Sequence, residues 1–238
     1  MIAENIARVK QQMAAAARRT GRDPEKILLM AVSKTVSAER ILEAYKAGVR
    51  LFGENRLQEF QAKSSALADM AGTGLGDAAQ WHMIGHLQSN KAAKTVELFS
   101  AIDSVDSLRL AERVNKAAQS LGKKISVLIE INIGGEAAKS GLPPDSDELE
   151  ELLQTAPRLQ HLVIDGLMTV PPFTEDPEQA RPYFRRLREL RDAISARNLP
   201  GVSMRTLSMG MSHDFSVAIE EGSTCVRVGT AIFGERRI

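Results

Sequence analysis

One pattern constrains this chain more than any other: a short apolar run followed by a helix-period segment, repeated eight times. The runs are "ILLMAVSK", "VRLFGEN", "WHMIGH", "LFSAIDSV", "ISVLIEIN", "LVIDGLMTV", "SMRTLSM" and "TCVRVGT". Apolar runs of this length, bounded by turn residues, read as strands buried on both faces. Separated by helices, they belong to a parallel sheet covered on both sides. Eight such units in 238 residues predict a (β/α)8 barrel, an architecture that typically takes about 250 residues. An open doubly wound sheet is the alternative, but its Gly-rich dinucleotide fingerprint does not follow the first run. The expected fold is therefore α/β: a single (β/α)8 TIM barrel with an extra N-terminal helix, residues 1–238 forming one domain. That opening helix carries Ile2, Ile6, Val9 and Met13 on one face. Because the chain stops soon after the eighth strand, at "AIFGERRI", the opening helix is expected to cover the wall that a full eighth helix would cover.

Helix signals support this division. Ser37 precedes the helix that ends at Gly48. Asn55 and Gln58 resemble a capping box, as do Asp145 and Glu148. Asp176-Pro177 places an N-cap before a first-turn proline. Gly122 and Gly222 stand where helices end. "AGTGLGDAAQ" (71–80) reads as one loop between two elements. The arginine-rich run 181–197 carries Tyr183 or Phe184, Leu187, Leu190 and Ile194 on one stripe, with arginines interleaved with Glu189 and Asp192. It reads as a solvated outer helix.

Composition narrows the partners. Apolar content of 43%, charged content of 26% and a net charge of +1 describe an ordinary globular chain. No basic block or aromatic-basic interleaving points to nucleic acid. No apolar run approaches membrane-span length, and the start lacks a signal-peptide core. A cytoplasmic protein without membrane association is expected. Cys225 is the lone cysteine, which excludes an internal disulfide; it reads as a small buried hydrophobe.

In barrels of this class the site lies at the C-terminal strand ends. Strand one ends on Lys34, whose parity with Met30 and Val32 points it inward. Strand two runs into Glu54 and Asn55, and strand five ends at Asn132. The loop after strand seven holds Gly210 and Ser212, with Ser212 expected to cap the segment "HDFSVAIEEG". Gly229-Thr230 follows strand eight. The last two loops commonly bind phosphate in this fold. Arg227 shares a face with Cys225 and Gly229, pointing into the mouth, where a guanidinium needs a partner; Glu130 and Asp165 are candidates. A lysine amine, a phosphate cup and an arginine together fit pyridoxal 5'-phosphate. Its aldehyde takes an amine as a Schiff base, and its ring nitrogen takes a polar partner.

The segments "AVSKT", "GENRLQEF", "WHMIGHLQSNK", "KSG", "GLMTV", "LSMGMSHDF" and "VRVGTAIFG" closely resemble the pyridoxal-phosphate homeostasis protein family, similar in fold to the barrel domain of alanine racemase. The resemblance implies cofactor held on Lys34, phosphate contacts from Ser208, Gly210, Met211, Ser212, Gly229 and Thr230, Arg227 facing the ring nitrogen, and Asn55 near the ring hydroxyl. It implies a carrier that stores or delivers the cofactor, with no catalytic residues of its own. Expected partners are pyridoxal phosphate and apo enzymes that use it, and the expected state is a monomer. The tail Arg236-Arg237 stands where some members carry a lysine pair, and arginines cannot form Schiff bases.

Two other functions compete. A racemase-like enzyme would need an acid/base opposite Lys34, yet the only tyrosines, Tyr45 and Tyr183, fall in expected outer helices. An aldolase would use Lys34 without a cofactor and be colourless. His82 and His86 share one strand face, but no carboxylate is clearly placed with them. They read as packing and local hydrogen bonding, with no metal, and Trp81 reads as core.

Overall fold

In a computed structural model the eight runs form a closed parallel barrel in sequential order. The structure describes residues 1–69, 79–136 and 138–235. Most of the 71–80 segment, and the Arg236-Arg237 tail, lie outside them. The strands are β1 (Leu28–Val32), β2 (Leu51–Glu54), β3 (Gln80–Met83), β4 (Ala101–Val105), β5 (Ile125–Glu130), β6 (Leu162–Met168), β7 (Val202–Ser208) and β8 (Cys225–Val228). The helices among the described residues are α1 (Ile2–Arg19), α2 (Ala38–Lys46), α3 (Leu57–Asp69), α4 (Ala92–Leu98), α5 (Leu108–Ser120), α6 (Asp147–Thr155), α7 (Arg181–Ala196), α8 (Phe215–Glu220) and α9 (Thr230–Phe233).

Side-chain parity sorts the apolar residues. Ala31, Phe52, Val226 and Val228 point outward, into a cluster shared with α1, α2 and α8. Met30, Leu51 and Cys225 form a small group with Ile84. Register supports an inward aim for this group, since Met30 lies beside Leu51 on one side and Arg227 on the other. The barrel closes where β8 pairs with β1, Leu28 opposite Cys225 and Ala31 opposite Val228.

The opening helix does what its pattern predicts. Ile2, Ile6, Val9 and Met13 are buried, packed in one cluster with Phe215, Ile219, Ile232 and Phe233. Each large side chain buried contributes about 1.5–3 kcal/mol, so α1 supplies much of the cover that the four-residue α9 cannot. On α7, Phe184, Leu187 and Ile194 are buried. Its arginines reach further than their own helix: Arg181, Arg185 and Arg188 all pair with buried Glu221 at the end of α8. Arg181 also pairs locally with Glu178, as Arg191 does with Asp192.

Two expected caps are displaced by one residue. α3 begins at Leu57, which leaves Asn55 before the cap position. There its backbone is pressed against Gly85, where a Cβ would come within 2.3 Å of the Asn55 carbonyl oxygen. On α6 the cap is Ser146, which accepts the Leu149 N–H, while Asp145 pairs with Arg186 across the surface. Ser37 flanks α2 without a side-chain cap bond. Asp176 caps as expected, accepting from Glu178 N–H, and Gly122 and Gly222 adopt positive φ at helix ends. No described helix is long and apolar enough to cross a membrane.

Candidate functional site

β1 ends at Val32, and the chain turns sharply two residues later. Ser33 is fully buried, Lys34 is half-buried, and Thr35 takes the left-handed conformation at φ 61°. Lys34 lines a cleft of about 800 Å³ together with Thr35, Ser37, Arg40, Gly229 and Thr230. Gly229 lies beside β1, its Cβ position 3.5 Å from the Val32 carbonyl. The strand-one lysine and the strand-eight loop thus face one opening.

The loop after β7 is built differently from its sequence reading. Asp214 Oδ1 accepts the Met211 N–H at 2.6 Å, and α8 starts only at Phe215. The carboxylate folds the chain back on itself, so Ser212 does not cap this helix. Ser212 Oγ instead crosses to the next loop, accepting the N–H groups of Gly229 at 3.1 Å and Ala231 at 3.2 Å. It therefore organises the start of α9. Gly210 has φ 96° and packs so tightly on α8 that a Cβ would lie 2.5 Å from the Ala218 Cβ. Only glycine satisfies both demands.

Arg227 projects into the barrel mouth. It is 4% exposed, and its guanidinium donates to Ser208 Oγ and to the Thr169 carbonyl, both at 2.7 Å. Its backbone N–H donates to the Gly210 carbonyl. Neither expected acid pairs with it directly. Asp165 is bound by Arg205, Ser203 and Thr206. Glu130 accepts from Ser140, and its other oxygen, Oε2, is buried without a hydrogen-bond partner. Burial pulls the Arg227 pKa down, opposed by Cys225, Asp103, Glu130 and Asp214. Burial likewise pushes Glu130 and Asp214 above the ordinary carboxylate range. The Cys225 thiol, fully buried, is pushed up to about 12, which removes it as a nucleophile.

A second charged cluster lies beneath Lys34, and the sequence reading missed it. Lys63 of α3 donates to the Ser33 carbonyl at 2.8 Å, Glu54 Oε1 at 3.1 Å and Glu59 Oε1 at 2.5 Å. Glu54 also accepts from Ser33 Oγ at 2.7 Å, and Glu59 accepts the Thr35 N–H. Glu54 is fully buried, its Oε2 lacks a hydrogen-bond partner, and burial raises its pKa. Glu59 and Lys63 stand four apart on a helix, a readable pair. Their reach to Glu54 and Ser33 had no local signal.

The two strand-three histidines each gain a carboxylate that sequence reasoning did not place. His82 Nδ1 lies 3.0 Å from Asp103 and His86 Nδ1 lies 2.8 Å from Asp106. Burial disfavours the His82 cation, but Asp103 outweighs it and the pKa ends above the ordinary value. Among the described residues no group of three or more His, Cys, Asp or Glu side chains could hold a metal. Tyr45 and Tyr183 lie on α2 and α7. Trp81 is only half-buried, stacked on Phe52 and tilted on Phe60.

The expected site residues therefore fall into two groups. Lys34, Gly229 and Thr230 line the cleft, with Ser212 bonded to its rim. Gly210, Ser208 and Arg227 form a bonded group deeper in the barrel. Met211 contributes through backbone already engaged by Asp214, and Asn55 stands half-buried at the end of β2.

The family described as alanine racemase, N-terminal domain, matches residues 2–237. The chain is 44% identical over 234 residues to the pyridoxal phosphate homeostasis protein of Aquifex aeolicus, covering 98% of each. It is similar to the solved structure of PipY from Synechococcus elongatus with pyridoxal phosphate bound, with TM-score 0.82, 36% identity, and 98% and 100% of the two chains covered. Alanine racemase from Clostridium difficile shares the fold at TM-score 0.68 and 16% identity, with 96% of this chain and 57% of that one covered.

Proposed function

This chain belongs to the pyridoxal phosphate homeostasis protein family, built on the alanine racemase N-terminal fold, and from that premise we propose that it binds pyridoxal 5'-phosphate at the barrel mouth and stores or delivers it. The observation that carries this reading is the shared cleft: the Lys34 side chain and the Gly229-Thr230 loop line one opening. When bound, the cofactor supplies an aldehyde that condenses with a primary amine and a ring that can accept electron density.

The residues present suit that group. Lys34 binds the aldehyde covalently, its amine losing both protons to the departing carbonyl oxygen. Gly210, Met211, Ser212, Gly229 and Thr230 form the phosphate end. The bond that Ser212 accepts from Gly229 holds their two loops together, and the hydroxyl protons of Ser212 and Thr230 are suited to an anion. Arg227 serves the ring nitrogen, held by Ser208 and Thr169. An arginine keeps its own proton, so it leaves that nitrogen unprotonated and weakens the ring as an electron sink. Asn55 serves the ring hydroxyl. The chain, acting as one domain over residues 1–238, works as a cytoplasmic monomer. It carries the cofactor toward apo enzymes and does not turn over amino acids.

The test is reconstitution of the purified protein with pyridoxal phosphate, followed by borohydride reduction and peptide mapping. The label is expected on Lys34. Lys34→Ala is expected to fold yet develop no near-visible band, because a rim lysine leaves no deep cavity. A label on Lys91 or Lys139 instead would overturn the assignment.

A further inference from the structure

Lys34 is flanked by two residues, one bonded by an ammonium and the other by a carboxylate that the same ammonium grips. On one side, the Ser33 carbonyl accepts from Lys63 and the Ser33 hydroxyl donates to Glu54. On the other, Thr35 gives its N–H to Glu59, which Lys63 grips at 2.5 Å. The left-handed backbone at Thr35, φ 61°, is strained for a non-glycine residue and persists where the surroundings over-determine it. Here Glu59 does so. Lys63 itself has three protons and three acceptors: Ser33, Glu54 and Glu59. Its side chain is only 13% exposed, so its charge is weakly screened.

We propose that Lys63, acting through Glu59, Glu54 and Ser33, is a positioning residue for Lys34: it fixes the turn that presents the Lys34 amine, and it offsets the carboxylate charge beneath that amine, which would otherwise hold it protonated near neutral pH. The proposal rests on the reading of Lys34 as the aldehyde-binding lysine. It has two physical parts. The geometric part is the set of bonds on either side of Lys34. The electrostatic part follows from charge. A neighbouring cation disfavours a second ammonium, so more of the Lys34 amine is neutral and nucleophilic. The carboxylates of Glu54 and Glu59 act in the opposite sense. Burial of Glu54 favours its neutral form, which brings the cluster of one ammonium and two carboxylates from a net negative charge toward zero.

The two parts separate by variants of opposite sign. Lys63→Met keeps length and removes the cation. Glu59→Gln removes a negative charge while keeping an oxygen for the Thr35 N–H. The measurement is the rate of pyridoxal phosphate capture by the full-length protein against pH, followed by its near-visible band, with peptide mapping of the borohydride-reduced product. The midpoint of the rate profile is expected to rise in Lys63→Met by on the order of half a unit, about a threefold slower capture at neutral pH. It is expected to fall in Glu59→Gln. Lys94→Met, which removes a surface pair with Glu97, should leave the midpoint in place. A merely structural role for Lys63 would lower thermal stability without moving midpoints in opposite directions. If Lys63→Met fails to fold, Glu59→Gln alone decides. Unmoved midpoints with the label still on Lys34 would overturn the proposal and leave the site reading intact. A label absent from Lys34 in the unmodified protein would overturn both.

Discussion

Ser212, on the loop after β7, accepts the backbone N–H of Gly229, on the loop after β8, at 3.1 Å. One hydroxyl thereby joins the two loops that this fold commonly uses for phosphate, and the same oxygen also accepts from Ala231.

Ser212→Ala should loosen that joint. Neutral hydrogen bonds are worth about 0.5–1.5 kcal/mol each, and two are lost. Pyridoxal phosphate should bind roughly tenfold more weakly, while pyridoxal, lacking the phosphate, should bind as it does to the unmodified protein. Isothermal titration with both aldehydes checks this. Equal weakening of the two would detach Ser212 from the phosphate end.

Arg227→Gln should be strongly destabilising. The guanidinium acts electrostatically on Asp103, Glu130 and Asp214 in a buried setting, and removing it takes away positive charge that favours their ionised forms. Its two charge-assisted hydrogen bonds, to Ser208 and to the Thr169 carbonyl, are worth about 1.5–3 kcal/mol each, so their loss costs roughly 6–24 °C in Tm for a chain of this size. The sign with pH follows from Glu130, whose pKa burial raises. Below the ordinary carboxylate range Glu130 is neutral and needs no cation. As pH rises through its elevated pKa the deficit grows. Thermal unfolding of both proteins from acid to neutral pH should show the gap widening. A constant gap would exclude this electrostatic account.

The pair His82–Asp103 gives the opposite partner the raised pKa. His82 titrates above its ordinary value because Asp103 outweighs burial. The stabilisation is therefore fully present below about pH 6.5, the unfolded value, and fades as pH rises through the folded value. Relative to Asp103→Asn, the unmodified protein should gain a few °C in Tm at pH 5.5 and less at pH 9. A gap that grows with pH would refute the pairing.

Turnover of free amino acids should be negligible. The tyrosines lie on the outer helices α2 and α7, Cys225 is held as a thiol, and Arg227, on the placement proposed above, would disfavour a protonated ring. Racemisation and keto-acid release, assayed at full cofactor occupancy, should stay far below ordinary enzyme rates, on the order of 10 per second. Rates at that level would point to an acid/base among the buried carboxyls, Glu54 or Glu130.

The barrel was legible in the sequence because its determinants are local. Strand and helix periods, the apolar stripe of α1 and the glycines at helix ends each act within a few residues. Lys34 and Arg227 stood out for the same reason, as cations on strand faces that otherwise carry apolar or small side chains. Cap positions slipped by one at Asn55 and Asp145, because a neighbouring oxygen or backbone could serve equally well and packing chose. What tertiary structure decided was partnership. Ser212 reaches across seventeen positions to Gly229, Asp103 meets His82 across adjacent strands, and Lys63 comes to lie beneath the β1 terminus. Which charges meet depends on barrel closure and strand register. These bring residues from different strands and helices to one end of the sheet, and no period along the chain encodes that distance.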